Sequence, residues 1–234
     1  MRHIVRRVFR GRDRALASTA AALLLAPLLG LGAAAPAQAA THDPILFVHG
    51  YGGDAWNWDD MRLDFIAAGW SADRLEAMSY NSVQSNEITA AEVRDEVDAL
   101  RARTGAAKVD IVSHSMGAMN SRWYLKFLGG TDVVDDWVSI GGANGGTVFW
   151  AGCWAITACG ELNPNGPFLT QLNSGDLTPG AVNYTAIWSE CDEAITPNSR
   201  AQLAGATNWN AGCVGHVTLL NQDAVAVRVQ QAVA

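Results

Sequence analysis

Val109-Asp110-Ile111-Val112-Ser113-His114-Ser115-Met116-Gly117 is the stretch on which the fold turns. It opens as a β-rich apolar run from Lys108 to Val112, breaks at Ser115 between small residues, and leads into a helical stretch that ends at Gly129-Gly130. A serine hydroxyl is a poor nucleophile unless a base removes its proton and its surroundings expose it. A sharp strand-to-helix turn gives the exposure, but it crowds the positions two before and two after the serine, which here are Ser113 and Gly117. The helix after Ser115 also directs its N-terminal N–H groups and the positive end of its dipole toward developing negative charge. The pentapeptide alone arises by chance in roughly one chain of this size in five, given average residue usage. An N-cap serine before an ordinary helix would look similar. The flanking strand and helix single Ser115 out as a nucleophile candidate.

Upstream, Ile45-Leu46-Phe47-Val48 reads as a buried strand that enters the Gly-rich turn His49-Gly50-Tyr51-Gly52-Gly53. A helix is expected over Asn57 to Ala68 and a strand over Leu75 to Tyr80. A capping box at Thr89-x-x-Glu92 would start a helix carrying Val93, Val97 and Leu100 and stopping at Gly105. Downstream, Val133 to Ile140 and Val182 to Trp188 read as strands and Thr218 to Val233 as a closing helix. Strands alternate with helices, and the strands are continuous apolar runs, which predicts an α/β fold whose mostly parallel sheet is covered on both faces. Gly141 to Ala181 is the exception: a long Gly-, Asn-, Pro- and Thr-rich connection bearing Phe149, Trp150, Trp154, Phe168 and Leu169. A connection this long in a compact domain is usually functional or wrongly assigned.

The chain has 234 residues, 49% hydrophobic and 17% charged, with four cysteines. That excludes disorder, collagen-like repeats and a cysteine-dense miniprotein. Residues 1–40 read as a signal peptide rather than as fold: six arginines, an apolar run from Ala15 to Leu31 broken by Pro27, then Ala37-Gln38-Ala39-Ala40. Arg6-Arg7 leaves both general and twin-arginine export open. Residues 41–234 are then one domain, with 10 basic and 22 acidic residues, a net charge of −12. Such a surface repels phosphate backbones, so no nucleic-acid partner is expected, nor any integral membrane segment once the signal is removed. Export sets an oxidising context for Cys153, Cys159, Cys191 and Cys213. Three pairings exist; Cys153–Cys159 and Cys191–Cys213 are expected, the second because it ties together two stretches that carry candidate site residues.

Those residues follow by elimination. His3 leaves with the signal, His42 lies at the new terminus, and His49 and His114 sit inside the two turns, where structural hydrogen bonds are expected. His216, before the closing helix, remains as the base. The orienting acid is Asp192, just past the strand ending at Trp188, with Glu190, Glu193 and Asp176 as competitors. Backbone N–H groups of Tyr51 and Met116 would form an oxyanion hole, each donor worth about 3 kcal/mol of barrier; the first segment taken alone also fits a simple tight turn.

Together Ile45 to Gly53, Val109 to Gly117, Ile140-Gly141-Gly142-Ala143-Asn144, Ile187-Trp188-Ser189 before Asp192, and Gly215-His216 resemble the α/β-hydrolases. More closely the chain resembles the small secreted bacterial triacylglycerol lipases of the class 2 lipase family, from about Pro44 to Gln222. Ser113, where most α/β-hydrolases have glycine, is a mild departure. The resemblance implies a minimal α/β-hydrolase without a large cap domain. Ser115 would be its nucleophile, Asp192 its acid and His216 its base, with Tyr51 and Met116 as oxyanion donors. It implies a secreted enzyme, expected to be monomeric and in transient contact with lipid interfaces, that cleaves carboxylic esters of lipids through an acyl-enzyme, with no cofactor and no metal. A short-chain esterase, a polyester depolymerase or a serine peptidase on the same fold, and an inactive hydrolase-like binding module, are the competing readings.

Overall fold

The first strand of the sheet, β1 (Ile45–Val48), has no side chain exposed, because neighbours cover both of its faces. The computed structural model describes residues 42–234; the expected signal peptide, residues 1–40, lies outside the described residues. Around β1 run β2 (Leu75–Met78), β3 (Val109–His114), β4 (Val134–Ile140), β5 (Asn183–Trp188) and β6 (Thr207–Asn210), in the order β2-β1-β3-β4-β5-β6 with every pair parallel.

Side chains alternate across a strand, and here both faces are apolar. Leu46, Val48, Ile111, Trp137, Tyr184 and Ala186 face α2 (Asn86–Thr104), α3 (Gly117–Phe127) and α5 (Pro167–Leu172). Ile45, Phe47, Val112, Val138, Ile140 and Ile187 face α1 (Asp59–Ala67) and α6 (Asp223–Ala232). Parallel strands point their C-terminal ends the same way, so the turns after β1, β3 and β5 meet along one rim.

Four details depart from the sequence expectations. The expected first helix begins as a 3-10 turn, Ala55–Trp58, capped by Asp54. Ser85, not Thr89, caps α2: its hydroxyl accepts from the Glu87 N–H at 3.2 Å, while Thr89 is buried one turn inside. The closing helix is split, with a 3-10 turn at Val217–Asn221 and an extended Gln222 before α6. β6 is a polar edge strand with no counterpart among the sequence expectations. The long connection after β4 holds a 3-10 turn (Val148–Gly152), the short α4 (Thr157–Gly160) and α5, so it is largely local structure rather than open loop. Among the described residues no helix is long and apolar enough to cross a membrane.

Candidate active site

Ser115 follows β3 directly and has φ +55°, the one positive-φ residue other than glycine among the described residues. L-residues rarely hold this conformation. It turns the chain sharply enough to lift the hydroxyl off the strand. The turn fits because its neighbours have no side chains: a Cβ on Gly117 would stand 2.5 Å from the carbonyl oxygens of Val48 and His49, and one on Gly50 would stand 2.7 Å from the Ser115 Cβ. Ser113 is fully buried, and its Oγ donates to the Val138 carbonyl at 3.0 Å, so a serine is accommodated two residues before the turn.

His216 comes from the loop before the last 3-10 turn. Its Nε2 lies 2.8 Å from Ser115 Oγ and its Nδ1 2.8 Å from Asp192 Oδ2. Asp192, 3% exposed, follows β5. Its second oxygen, Oδ1, accepts from the N–H groups of Ala194 at 2.9 Å and Ile195 at 2.8 Å, which hold the carboxylate in place. The three residues thus form one chain of hydrogen bonds: hydroxyl to imidazole, and imidazole N–H to a carboxylate already anchored by backbone.

The competing carboxylates lie elsewhere. Glu190 accepts from the Asn210 side chain at 2.8 Å, and Asp176 accepts from the Thr178 N–H at 3.0 Å. Glu193 is nearer in function: its Oε2 accepts from the backbone N–H of His216 at 2.9 Å and so fixes the loop that presents the imidazole. That loop is tied down twice more. Cys191 is disulfide-bonded to Cys213, and the buried Ser189 Oγ accepts from the N–H groups of Val214 at 2.9 Å and Cys191 at 3.1 Å. Cys153 pairs with Cys159.

His114 makes the structural hydrogen bond expected of it in the turn, and its partner is a residue far away in the chain. Its ring lies 4.5 Å from that of His216, and its Nε2–H donates to the His216 carbonyl at 3.2 Å. Burial, with the neighbouring His216, pushes its pKa down to about 3, so it stays neutral beside the His216 ring.

Tyr51 and Met116 flank Ser115 on the turns after β1 and β3. Among the described residues neither backbone N–H has a protein acceptor. Two clefts meet at Ser115. One is lined by Gly50, Asn57, His114, Val217 and Leu220. The other is lined by Thr147, Phe149, Leu162, Ala194 and Ile195. Of the aromatics on the long connection after β4, Phe149 lines this second cleft and is 54% exposed. Phe168 instead stacks on Trp123 at 4.6 Å in the core, because α5 docks on α3. Among the described residues no group of three His, Cys, Asp or Glu side chains is arranged to hold a metal ion.

Residues 42–212 match the family model described as lipase (class 2). Lipase BlEst2 of Bacillus licheniformis, in its mature form, is 17% identical, with a TM-score of 0.73 over 87% of this chain and 97% of that one. Its propeptide form is 19% identical, with a TM-score of 0.71 over 83% of this chain and 51% of that one. Aspergillus fumigatus lipase B is 20% identical, with a TM-score of 0.63 over 76% of this chain; the chain spans about half of that protein's length, 49%.

Proposed function

Because this chain belongs to the class 2 lipase family, we propose that it is a secreted carboxylic-ester hydrolase acting on lipid esters through an acyl-enzyme on Ser115. The observation that carries the reading is the continuous Ser115–His216–Asp192 chain, with both links at 2.8 Å. Ser115 donates its proton to His216 Nε2 as Oγ attacks the ester carbonyl. Asp192 keeps the other imidazole proton on Nδ1 and stabilises the imidazolium that forms. Tyr51 and Met116 direct their N–H groups at the oxyanion. The imidazolium then protonates the leaving alcohol, and water, deprotonated by the same histidine, releases the acid.

Phe149, Leu162 and Ile195 line one cleft with apolar surface that suits an acyl chain, at about 0.8 kcal/mol per buried methylene. Two disulfides and the family support export, with residues 1–40 as the removed leader and residues 41–234 as the single catalytic domain. A monomer meeting lipid interfaces transiently completes the reading.

The test is a chain-length series of p-nitrophenyl esters and a triglyceride emulsion, run on the purified protein and on Ser115→Ala. The wild type is expected to hydrolyse both, and the variant to fold normally and hydrolyse neither. Retained turnover in Ser115→Ala rejects the mechanism. Turnover confined to acetate esters makes the protein a plain esterase.

A further inference from the structure

The turn after β1 carries the first oxyanion donor, and its aim is set by hydrogen bonds that do not touch that donor. His49 is 1% exposed, and its Nδ1–H donates to the Gly50 carbonyl at 2.8 Å; the same carbonyl accepts from the Gly53 N–H at 3.1 Å. Gly50 and Tyr51 share one trans peptide unit. Because that unit is planar, its C=O and N–H point in opposite directions. Two donors on the Gly50 oxygen therefore fix where the Tyr51 N–H points.

His49 is itself held by Tyr80, which lies just past β2. The phenol ring stacks on the imidazole at 4.0 Å and 13°, its hydroxyl donates to the His49 carbonyl at 2.5 Å, and its backbone N–H donates to His49 Nε2 at 3.4 Å. Asn120, on α3, donates to the phenol oxygen at 3.3 Å and fixes the direction of its proton. Two residues on, Ser82 Oγ accepts from the Gly52 N–H at 2.9 Å. The segment after β2 thus grips the turn on both sides of Tyr51, at His49 and at Gly52.

We propose that Tyr80 is a positioning residue for the oxyanion hole: by clamping His49 it fixes the Gly50–Tyr51 peptide plane and with it the Tyr51 donor. This rests on the reading of Tyr51 as an oxyanion donor. Tyr80 bonds the backbone behind the donor and lines neither cleft at Ser115. Its loss should weaken binding of the tetrahedral state and leave ground-state ester binding alone.

Tyr80→Phe keeps the stacked ring and deletes the hydroxyl, and Ser82→Ala releases the other side of the turn. Removing an oxyanion donor outright costs about 10²–10³ in kcat; a donor that is misaimed but present should cost about 10-fold. The expected result for Tyr80→Phe is that fall in kcat on a p-nitrophenyl ester, with KM within about twofold. A matching loss of affinity for an alkylboronic acid, which forms a tetrahedral adduct on the nucleophile, should accompany it. Ser82→Ala should move both quantities the same way by less, so the idea stays testable if Tyr80→Phe folds poorly. Unchanged kcat and boronate affinity in folded variants, or a loss confined to KM, overturns the proposal. Ester turnover by the wild type that vanishes in Ser115→Ala would leave the hydrolase reading standing in that case, so the two failures are separable.

Discussion

Asp192 has both oxygens committed, one to the His216 imidazole and one to two backbone N–H groups. In Asp192→Asn the side-chain oxygen can keep the backbone bonds, but its NH₂ then faces Nδ1. The imidazole must put its proton on Nε2, where it opposes the Ser115 hydroxyl and cannot accept from it. The expected outcome is a fall in kcat of about 10⁴ with an unchanged melting curve, read by ester hydrolysis on protein of verified fold. Activity within tenfold of wild type would move the acid's role to another carboxylate. At this scale the sequence was largely legible for Ser115 and His216, since the turn around the serine demands small neighbours and the other histidines sit in turns or at the terminus. What it hid were contacts between distant positions. The His114 bond to the His216 carbonyl spans 102 residues, and the Glu193 bond to the His216 N–H depends on the fold of two loops. No local pattern announces either.

Helix α2 shows how an element boundary escapes a local reading. Thr89 and Glu92 have the spacing of a capping box, yet the helix begins a turn earlier because its end is anchored from far away. Glu161, just past α4, accepts from Ser85 Oγ at 2.7 Å, from the Asn86 N–H at 2.7 Å and from Asn86 Nδ2 at 2.8 Å. A carboxylate there satisfies orphan donors and sits at the positive end of the helix dipole. Glu161→Gln keeps the shape and removes the charge, and it should lower stability by about 1 kcal/mol, read as a reduced urea midpoint at unchanged slope. An unchanged midpoint would mean that the anchor is spent in solvent. β6 escaped for a different reason. Its residues Thr-Asn-Trp-Asn are mostly exposed and pair on one side only, so the apolar run that marks the buried strands is absent. β1 and β3, covered on both faces, could be read almost to the residue.

Across the whole molecule, β3 carries two buried ionisable groups at opposite ends whose effects on stability run in opposite directions with pH. His114, at the active-site end, has its pKa lowered from 6.5 to about 3 by burial and by His216. The folded state binds its proton less readily than the unfolded chain does, so its contribution is fully present above 6.5 and is lost as pH falls toward 3. Asp110, at the other end, is 1% exposed and faces a cleft shared with Asp43, Asp135 and Asp136. Its Oδ1 accepts from the Asp136 N–H at 3.1 Å, and its Oδ2 has no partner among the described residues. Burial first, then Asp136 and Asp43, raises its pKa from 3.8 to about 9. Here the folded state holds its proton more tightly, so the stability that goes with the neutral acid is complete below 3.8 and is lost as pH rises through 9. Above pH 6.5 His114 adds no further slope, whereas Asp110, which holds its proton up to about 9 in the folded chain, makes stability fall with rising pH. Asp110→Asn keeps an acceptor for the Asp136 N–H and never ionises. Thermal midpoints of the wild type should therefore decline between about pH 6.5 and 9, while those of Asp110→Asn decline less steeply and lie higher at the alkaline end. Parallel curves for the two proteins would mean that Asp110 is already ionised in the folded chain.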